Sequence, residues 1–319
     1  MNTSLSLVNI IVINLLLSTI LSSQSVFDIY EKKIISKNGI TKKTHWVYGK
    51  HASSGYKSLE ITFNKAGDKL EEVTYRSTGK IALKRNYKYD ARGNVIEYQS
   101  YDGTRDKITY KKFVKYDNYG NKVIEAGFDG VDRFDNKYSY DSRERITEIK
   151  YFISDKLTER RVVTYAGQKQ EYTIYNAAGS VTGKYIKVTD AKKNVTQEIT
   201  YSSGGNETKK TIFSYDVSGN KTSESKYYSG KLTETTTYIF KDRRLEKQYI
   251  QKPGEPKYLD HEYEYDVSGK LLSEKWIDTR SGKYSTKSYK YDSKGNATEI
   301  NSYYAAYNFN EDIKITYSY

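Results

Sequence analysis

A turn-like motif returns along this chain at a nearly fixed interval, and no other feature limits its fold as strongly. Tyr89-Asp90-Ala91-Arg92-Gly93-Asn94 comes back as Tyr116-Asp117-Asn118-Tyr119-Gly120-Asn121 and as Tyr215-Asp216-Val217-Ser218-Gly219-Asn220. It comes back again as Tyr265-Asp266-Val267-Ser268-Gly269-Lys270 and Tyr291-Asp292-Ser293-Lys294-Gly295-Asn296. Weaker copies start at Phe63, Tyr140, Tyr165, Thr189 and Phe240, so successive anchors stand 24 to 27 residues apart. A degenerate copy, Ser36-Lys37-Asn38-Gly39, precedes the first. A second turn signal lies midway between anchors, as in Arg76-Ser77-Thr78-Gly79, Tyr101-Asp102-Gly103, Phe128-Asp129-Gly130 and Tyr228-Ser229-Gly230. Each unit of about 25 residues therefore reads as strand, turn, strand, turn.

The turn chemistry agrees with this reading. In Asp-x-x-Gly the carboxylate can accept backbone N–H groups just downstream, and glycine takes the left-handed position. Asp90, Gly93, Asp117, Gly120, Asp216, Gly219, Asp266, Gly269, Asp292 and Gly295 are the turn-forming residues. Asp102-Gly103 and Asp129-Gly130 read as two-residue hairpin loops. Between turns the residues alternate. Ile108, Tyr110, Lys112, Val114 and Tyr116 share one face of a strand, and Thr109, Lys111, Phe113 and Lys115 the other. After residue 26 nothing repeats with a helical period. The expected fold is all-β: tandem hairpin repeats of about 25 residues forming a long, twisted antiparallel meander or spiralling sheet of about twenty strands. It forms one domain over 26–319, with about 10–11 units that are clearest over 60–300. Whether the sheet closes, and which face is buried, stays open, because a one-residue slip exchanges the faces.

Composition narrows the chemistry. The chain has no Cys, so disulfides, thiolate zinc sites and thiol nucleophiles are excluded. Tyr contributes 35 of 319 residues, which suits a thin wall whose rings pack while their hydroxyls reach polar partners. An apolar run, Leu7 to Leu17, followed by Ser22-Ser23-Gln24-Ser25, reads as a secretion signal over 1–25. An uncleaved anchor is the alternative, and it is the one route by which this reading would place the chain on a membrane.

At its Tyr-Asp-x-x-Gly-Asn anchors the sequence resembles the YD repeats of the RHS family of bacterial surface and polymorphic-toxin proteins. The resemblance covers most of 60–300. It implies a spiralling β-sheet able to close into a shell, in a secreted or surface setting. The family's Asp-Pro-containing self-cleaving core is missing, since the prolines are Pro253 and Pro256. No separate domain is expected after the last repeat. The resemblance therefore implies neither a toxin nor a protease.

No catalytic constellation stands out. His45, His51 and His261 are too scattered for a triad or a metal set, no phosphate loop is present, and no cofactor is expected. The row of turn aspartates could be read as weak calcium sites. Turn capping is the simpler reading, because the remaining loop positions are Arg, Lys or Ser. The net charge of +13 is the best functional hint. Lysines interleave with tyrosines, so Lys84, Tyr87, Tyr89, Tyr110, Lys112 and Tyr116 are the candidate binding residues. The expected function is a non-enzymatic, secreted, periplasmic or cell-surface module that binds an acidic polysaccharide or another cell-envelope component. Export disfavours nucleic acid. The alternatives are an RHS-like shell acting with a separate toxin-like partner, and an outer-membrane β-barrel.

Overall fold

The computed structural model describes residues 31–49 and 55–319. The 1–25 signal and His51 lie outside the described residues. Residues 31–37 are helical. Strands follow: β1 Lys42–Tyr48, β2 Tyr56–Phe63, β3 Lys69–Tyr75, β4 Ile81–Tyr89, β5 Val95–Asp102, β6 Lys107–Tyr116 and β7 Lys122–Phe128. Next come β8 Arg133–Tyr140, β9 Ile146–Ile153, β10 Lys156–Ala166, β11 Lys169–Asn176, β12 Val181–Thr189, β13 Val195–Ser202 and β14 Glu207–Tyr215. The remainder are β15 Lys221–Tyr228, β16 Lys231–Lys241, β17 Arg244–Gln251, β18 Tyr258–Tyr265, β19 Leu271–Asp278, β20 Lys283–Tyr291, β21 Ala297–Tyr304 and β22 Phe309–Ser318.

Each strand pairs antiparallel with the next, as short hairpins require. The meander does not stay open. β22 returns to pair with β1, from Lys42 opposite Ser318 to Tyr48 opposite Asp312, and the 22 strands close into a barrel. The anchors supply curvature. At Tyr89, Tyr116, Tyr215, Tyr265 and Tyr291 the pairing register shifts by a residue. Bulges of this kind bend a strand and raise its twist.

The Asp-x-x-Gly-Asn turns form as the sequence predicts. Asp90 Oδ1 accepts the N–H groups of Arg92 and Asn94, both at 2.9 Å, and Asp90 Oδ2 accepts the Asn94 side chain at 3.0 Å. Gly93 sits at φ 83°, where a Cβ would be strained. Asp117, Asp216 and Asp292 repeat this arrangement. Three local expectations need correction. Asp102-Gly103 and Asp129-Gly130 are not two-residue loops; each opens a four-position connection, ending at Asp106 and Asp132. The paired left-handed φ values of two-residue primed turns fall instead at Ser154-Asp155, Ser229-Gly230 and Asp242-Arg243. Finally, Ser36 to Gly39 is no hairpin: it ends the helix, with Gly39 at φ 65°.

Alternation divides the wall into two faces. Tyr87, Tyr89, Tyr98, Tyr110, Lys112, Glu125, Phe134, Ile149 and Arg161 share one, linked pair by pair through the register. This face holds the deepest wall residues: Ile149 is 1% exposed. Its rings also converge across a strand. Tyr110 on β6 stacks with Phe134 on β8 at 5.9 Å, and Trp276 on β19 meets Tyr304 on β21 at 6.4 Å. Side chains converge on the concave side of a closed sheet and splay on the convex side, so this is the inner face.

Candidate functional site: the inner wall

The inner wall repeats one polar construction. A lysine opens the odd-numbered strand just after the anchor turn, and a glutamate follows three residues later: Lys69 and Glu72, Lys122 and Glu125, Lys221 and Glu224. Three residues along a strand is an odd step, but the bulge beside each lysine allows the two to meet. A second cation then arrives from a neighbouring strand. Arg85 of β4 pairs with Glu72, and Lys112 of β6 with Glu125 at 3.0 Å; at Glu224 the second cation, Lys226 at 3.8 Å, comes instead from its own strand. A tyrosine on the following strand completes the set: Tyr138 donates to Glu125 at 3.1 Å and Tyr238 to Glu224 at 3.4 Å. Tyr289 and Glu274 repeat that bond at 2.8 Å.

The ionisation of these groups follows from their crowding. Burial pushes the Glu125 carboxyl up, but bonds and charge from Lys122 and Lys112 outweigh it and hold it below the usual range. Lys221 goes the other way: burial pushes its ammonium down, ahead of the pull of Glu224. Burial first, then nearby carboxylates, raises Tyr87 and Tyr110 to about 12. At neutral pH the wall therefore presents neutral phenols and paired charges.

The anchor tyrosines have a structural task. Tyr89 donates to the Lys69 carbonyl at 2.8 Å, Tyr215 to that of Val195 at 2.8 Å, and Tyr291 to that of Leu271 at 2.7 Å. Each acceptor is the first residue after the preceding anchor turn. The hydroxyl thus ties one hairpin to the hairpin before it. Tyr116 does the same to Val95 at 3.2 Å.

The six candidate binding residues do not gather on one surface. Tyr87, Tyr89, Tyr110, Lys112 and Tyr116 lie on the inner face. Lys84 lies on the outer face, paired with Glu71 at 2.6 Å. Lys112 is engaged with Glu125, and Tyr89 and Tyr116 hold backbone carbonyls. The turn aspartates use both carboxylate oxygens inside their own turns, which holds Asp90 and Asp216 below the usual range. Among the described residues no three His, Asp or Glu side chains gather around a common point. Sequence reasoning missed the glutamates and their lysines. The signal was present as Gly-Asn-Lys-x-x-Glu at 120–125 and 219–224, with Gly-Asp-Lys-x-x-Glu at 67–72.

The outer face is charged from strand to strand. Glu97 sits between Lys88 at 2.8 Å and Lys111 at 3.8 Å, and Glu262 between Lys247 at 3.1 Å and Lys275 at 3.5 Å. Phe113 and Ile239 stand on it singly.

The helix of residues 31–37 lies on the inner face at the seam. Ile35 and Ile40 pack with Ile61 and Phe63 of β2, beside Leu59 and Tyr317. Polar bonds reach both sides of the closure. Lys43 of β1 pairs with Glu31 at 2.5 Å, Lys32 pairs with Asp68, and Asn38 donates to Asn296 Oδ1 at 2.8 Å.

Among family models none matches this chain, and no curated protein matches it in sequence. Solved structures show distant likenesses. A crystal structure of TcdB2-TccC3-Cdc42 is 11% identical with a TM-score of 0.32, over 82% of this chain and 18% of that one. A porin-like protein from Bacteroides uniformis ATCC 8492 is 11% identical with a TM-score of 0.32, over 88% of this chain and 96% of that one. This chain thus spans less than a fifth of the first. The reading of the barrel rests on its own geometry.

Proposed function

We propose that the chain is a non-enzymatic, exported shell whose working surface is the lumen. The supporting observation is the closure of the sheet with its tyrosine-rich, internally neutralised face turned inward. An open basic face for an acidic polymer is not what this geometry offers, because the inner cations are largely matched by carboxylates. Twenty-two strands at ~4.8 Å, tilted by about 40° as a closed barrel requires, make a ring of roughly 140 Å, or about 44 Å across between backbones. Side chains reduce the free width to about 30 Å, which admits an extended polymer. A barrel this wide is not filled by its own side chains. Among the described residues the apolar core cluster is the one at the seam, so the opposite walls do not pack on each other. A lipid-spanning barrel would need an apolar outer band, and the Lys–Glu pairs of the outer face do not supply one.

The absence of Cys makes the test direct. Thr200→Cys places a thiol on the inner face, and Thr164→Cys on the outer. A small maleimide is expected to label both in the folded protein. A large polyethylene-glycol maleimide is expected to label only the outer position. Equal labelling of both by the large reagent would reject the shell. Release of the native protein from cell envelopes by detergent alone, and not by salt, would favour the membrane barrel instead.

A further inference from the structure

One stretch of the inner wall breaks the Lys–Glu–Tyr pattern. Across β18 to β22, at the end away from the anchor turns, the inner positions are His261, Trp276, Ser285, Tyr304 and Phe309. Register pairs His261 with Trp276, Trp276 with Ser285, and Tyr304 with Phe309. Ser285 is 1% exposed and accepts the Ala305 N–H at 2.9 Å, which sets it beside Tyr304. Being small, it lets the Trp276 and Tyr304 rings lean together over it. Phe309 stacks on Tyr304 at 6.4 Å and 18° and is itself 44% exposed. His261 stacks on Tyr263 at 6.0 Å and 14°. The result is a row of rings about four strand spacings long, or roughly 19 Å, in which Trp276 stands edge-on to Tyr304 at 69°.

We propose that this row is a binding platform for a neutral, linear glycan. The inference rests on the lumen being the working surface. Flat rings bury the C–H faces of sugars as they bury other apolar surface, and polar neighbours serve the hydroxyls. Those neighbours are present: Tyr304 lies 3.5 Å from Glu311, and Gln248 and His261 both reach Asp260, at 2.7 and 2.8 Å. The charge balance selects the class of polymer. The carboxylates Asp260, Glu274, Asp278 and Glu311 outnumber the two lysines of this stretch: Lys283, opposite Asp278, and Lys287, which Glu274 holds at 3.1 Å. Such a site repels a polyanion. A free cationic ligand is not needed either, since Lys287 Nζ already stands 5.7 Å from the centre of the Trp276 ring.

The test uses the full chain carrying Trp46→Phe. This leaves Trp276 as the one indole, because the sequence has two tryptophans and Trp46 lies on the outer face. Cellohexaose is expected to change Trp276 fluorescence saturably, with little dependence on salt. Phe309→Ala, at a half-open position, is expected to weaken this about tenfold while leaving the unfolding midpoint in place. No response to cellohexaose would overturn the proposal, as would a response only to polygalacturonate or tetramethylammonium. Size-graded maleimide labelling of Phe309→Cys separates the two readings. A shielded thiol without sugar binding sinks the platform and keeps the shell. Sugar binding with a thiol open to the large reagent keeps the platform and sinks the shell.

Discussion

At the seam, from β20 round to β3, the wall is backed by a helix and an apolar cluster of Ile35, Ile40, Ile61 and Phe63. On the far side, from β7 to β16, the inner wall is a lattice of lysine, glutamate and tyrosine with isolated apolar residues such as Ile149 and Phe213 between them. The difference follows from chain connectivity. Every far-side strand pairs with its sequence neighbours, so its partner is delivered by a short turn. The β1–β22 ladder joins residues some 270 positions apart and carries a loop-closure cost that no other pairing bears. A non-repeating element meets that cost at the one place where the repeat cannot.

The sharpest break of this contrast is Ile35→Asp, which places an unpaired carboxylate in the cluster at a site only 2% exposed. It should cost about 3 kcal/mol or more. Hydrogen exchange should show β1 and β22 losing protection first while β9 to β14 keep theirs. Uniform loss around the ring would mean the seam is not a separate unit.

Next in size is Glu224→Gln, which leaves Lys221 and Lys226 without their shared carboxylate. With side-chain exposures of 10% and 13% for Lys221 and Glu224, the loss should be about 2–4 kcal/mol by denaturant unfolding. A change close to zero would show that the lattice is decorative.

A pH effect separates the two regions further. His45, in β1, is pushed down to about 3, by burial first and then by Lys43 and Lys69. The unfolded chain takes up this proton near pH 6.5 and the folded chain does not. Stability from this group is therefore complete above pH 6.5 and falls as the pH drops toward about 3. His45→Gln should flatten the slope of stability against pH over that window. An unchanged slope would mean the imidazole is solvated.

The smallest effect belongs to the outer face. Glu97→Gln removes a carboxylate whose partner Lys88 is 68% exposed, and should change stability by about 0.5 kcal/mol or less. A loss matching Glu224→Gln would erase the distinction between the faces.

Much of this architecture is legible in the sequence because it is local. Asp90, Asp117, Asp216 and Asp292 act within a few residues of themselves, and anchor spacing alone gives the hairpins. The sidedness of Lys84 was also within reach: it is an odd number of residues from Tyr87 and Tyr89 along one strand, so alternation sets it opposite them. Closure was not within reach. It depends on twist summed over 22 strands and on a pairing between chain ends. The apolar residues of the helical stretch 31–37 find their partners only after the ring has closed. The aromatic row is nonlocal as well. His261, Trp276, Tyr304 and Phe309 fall in four strands and line up only through register.

The tyrosine staples have one more consequence. Each hydroxyl reaches back into the hairpin before it: Tyr89 to Lys69, Tyr291 to Leu271, and Tyr317 to Ala297. Insertion or loss of a whole unit by duplication or deletion leaves every remaining tyrosine with a carbonyl of the same kind. The circumference then changes by two tilted strand spacings, and the bore by about 4 Å. The ring can be resized in fixed increments by recombination alone, with the seam as the part that must be carried over intact.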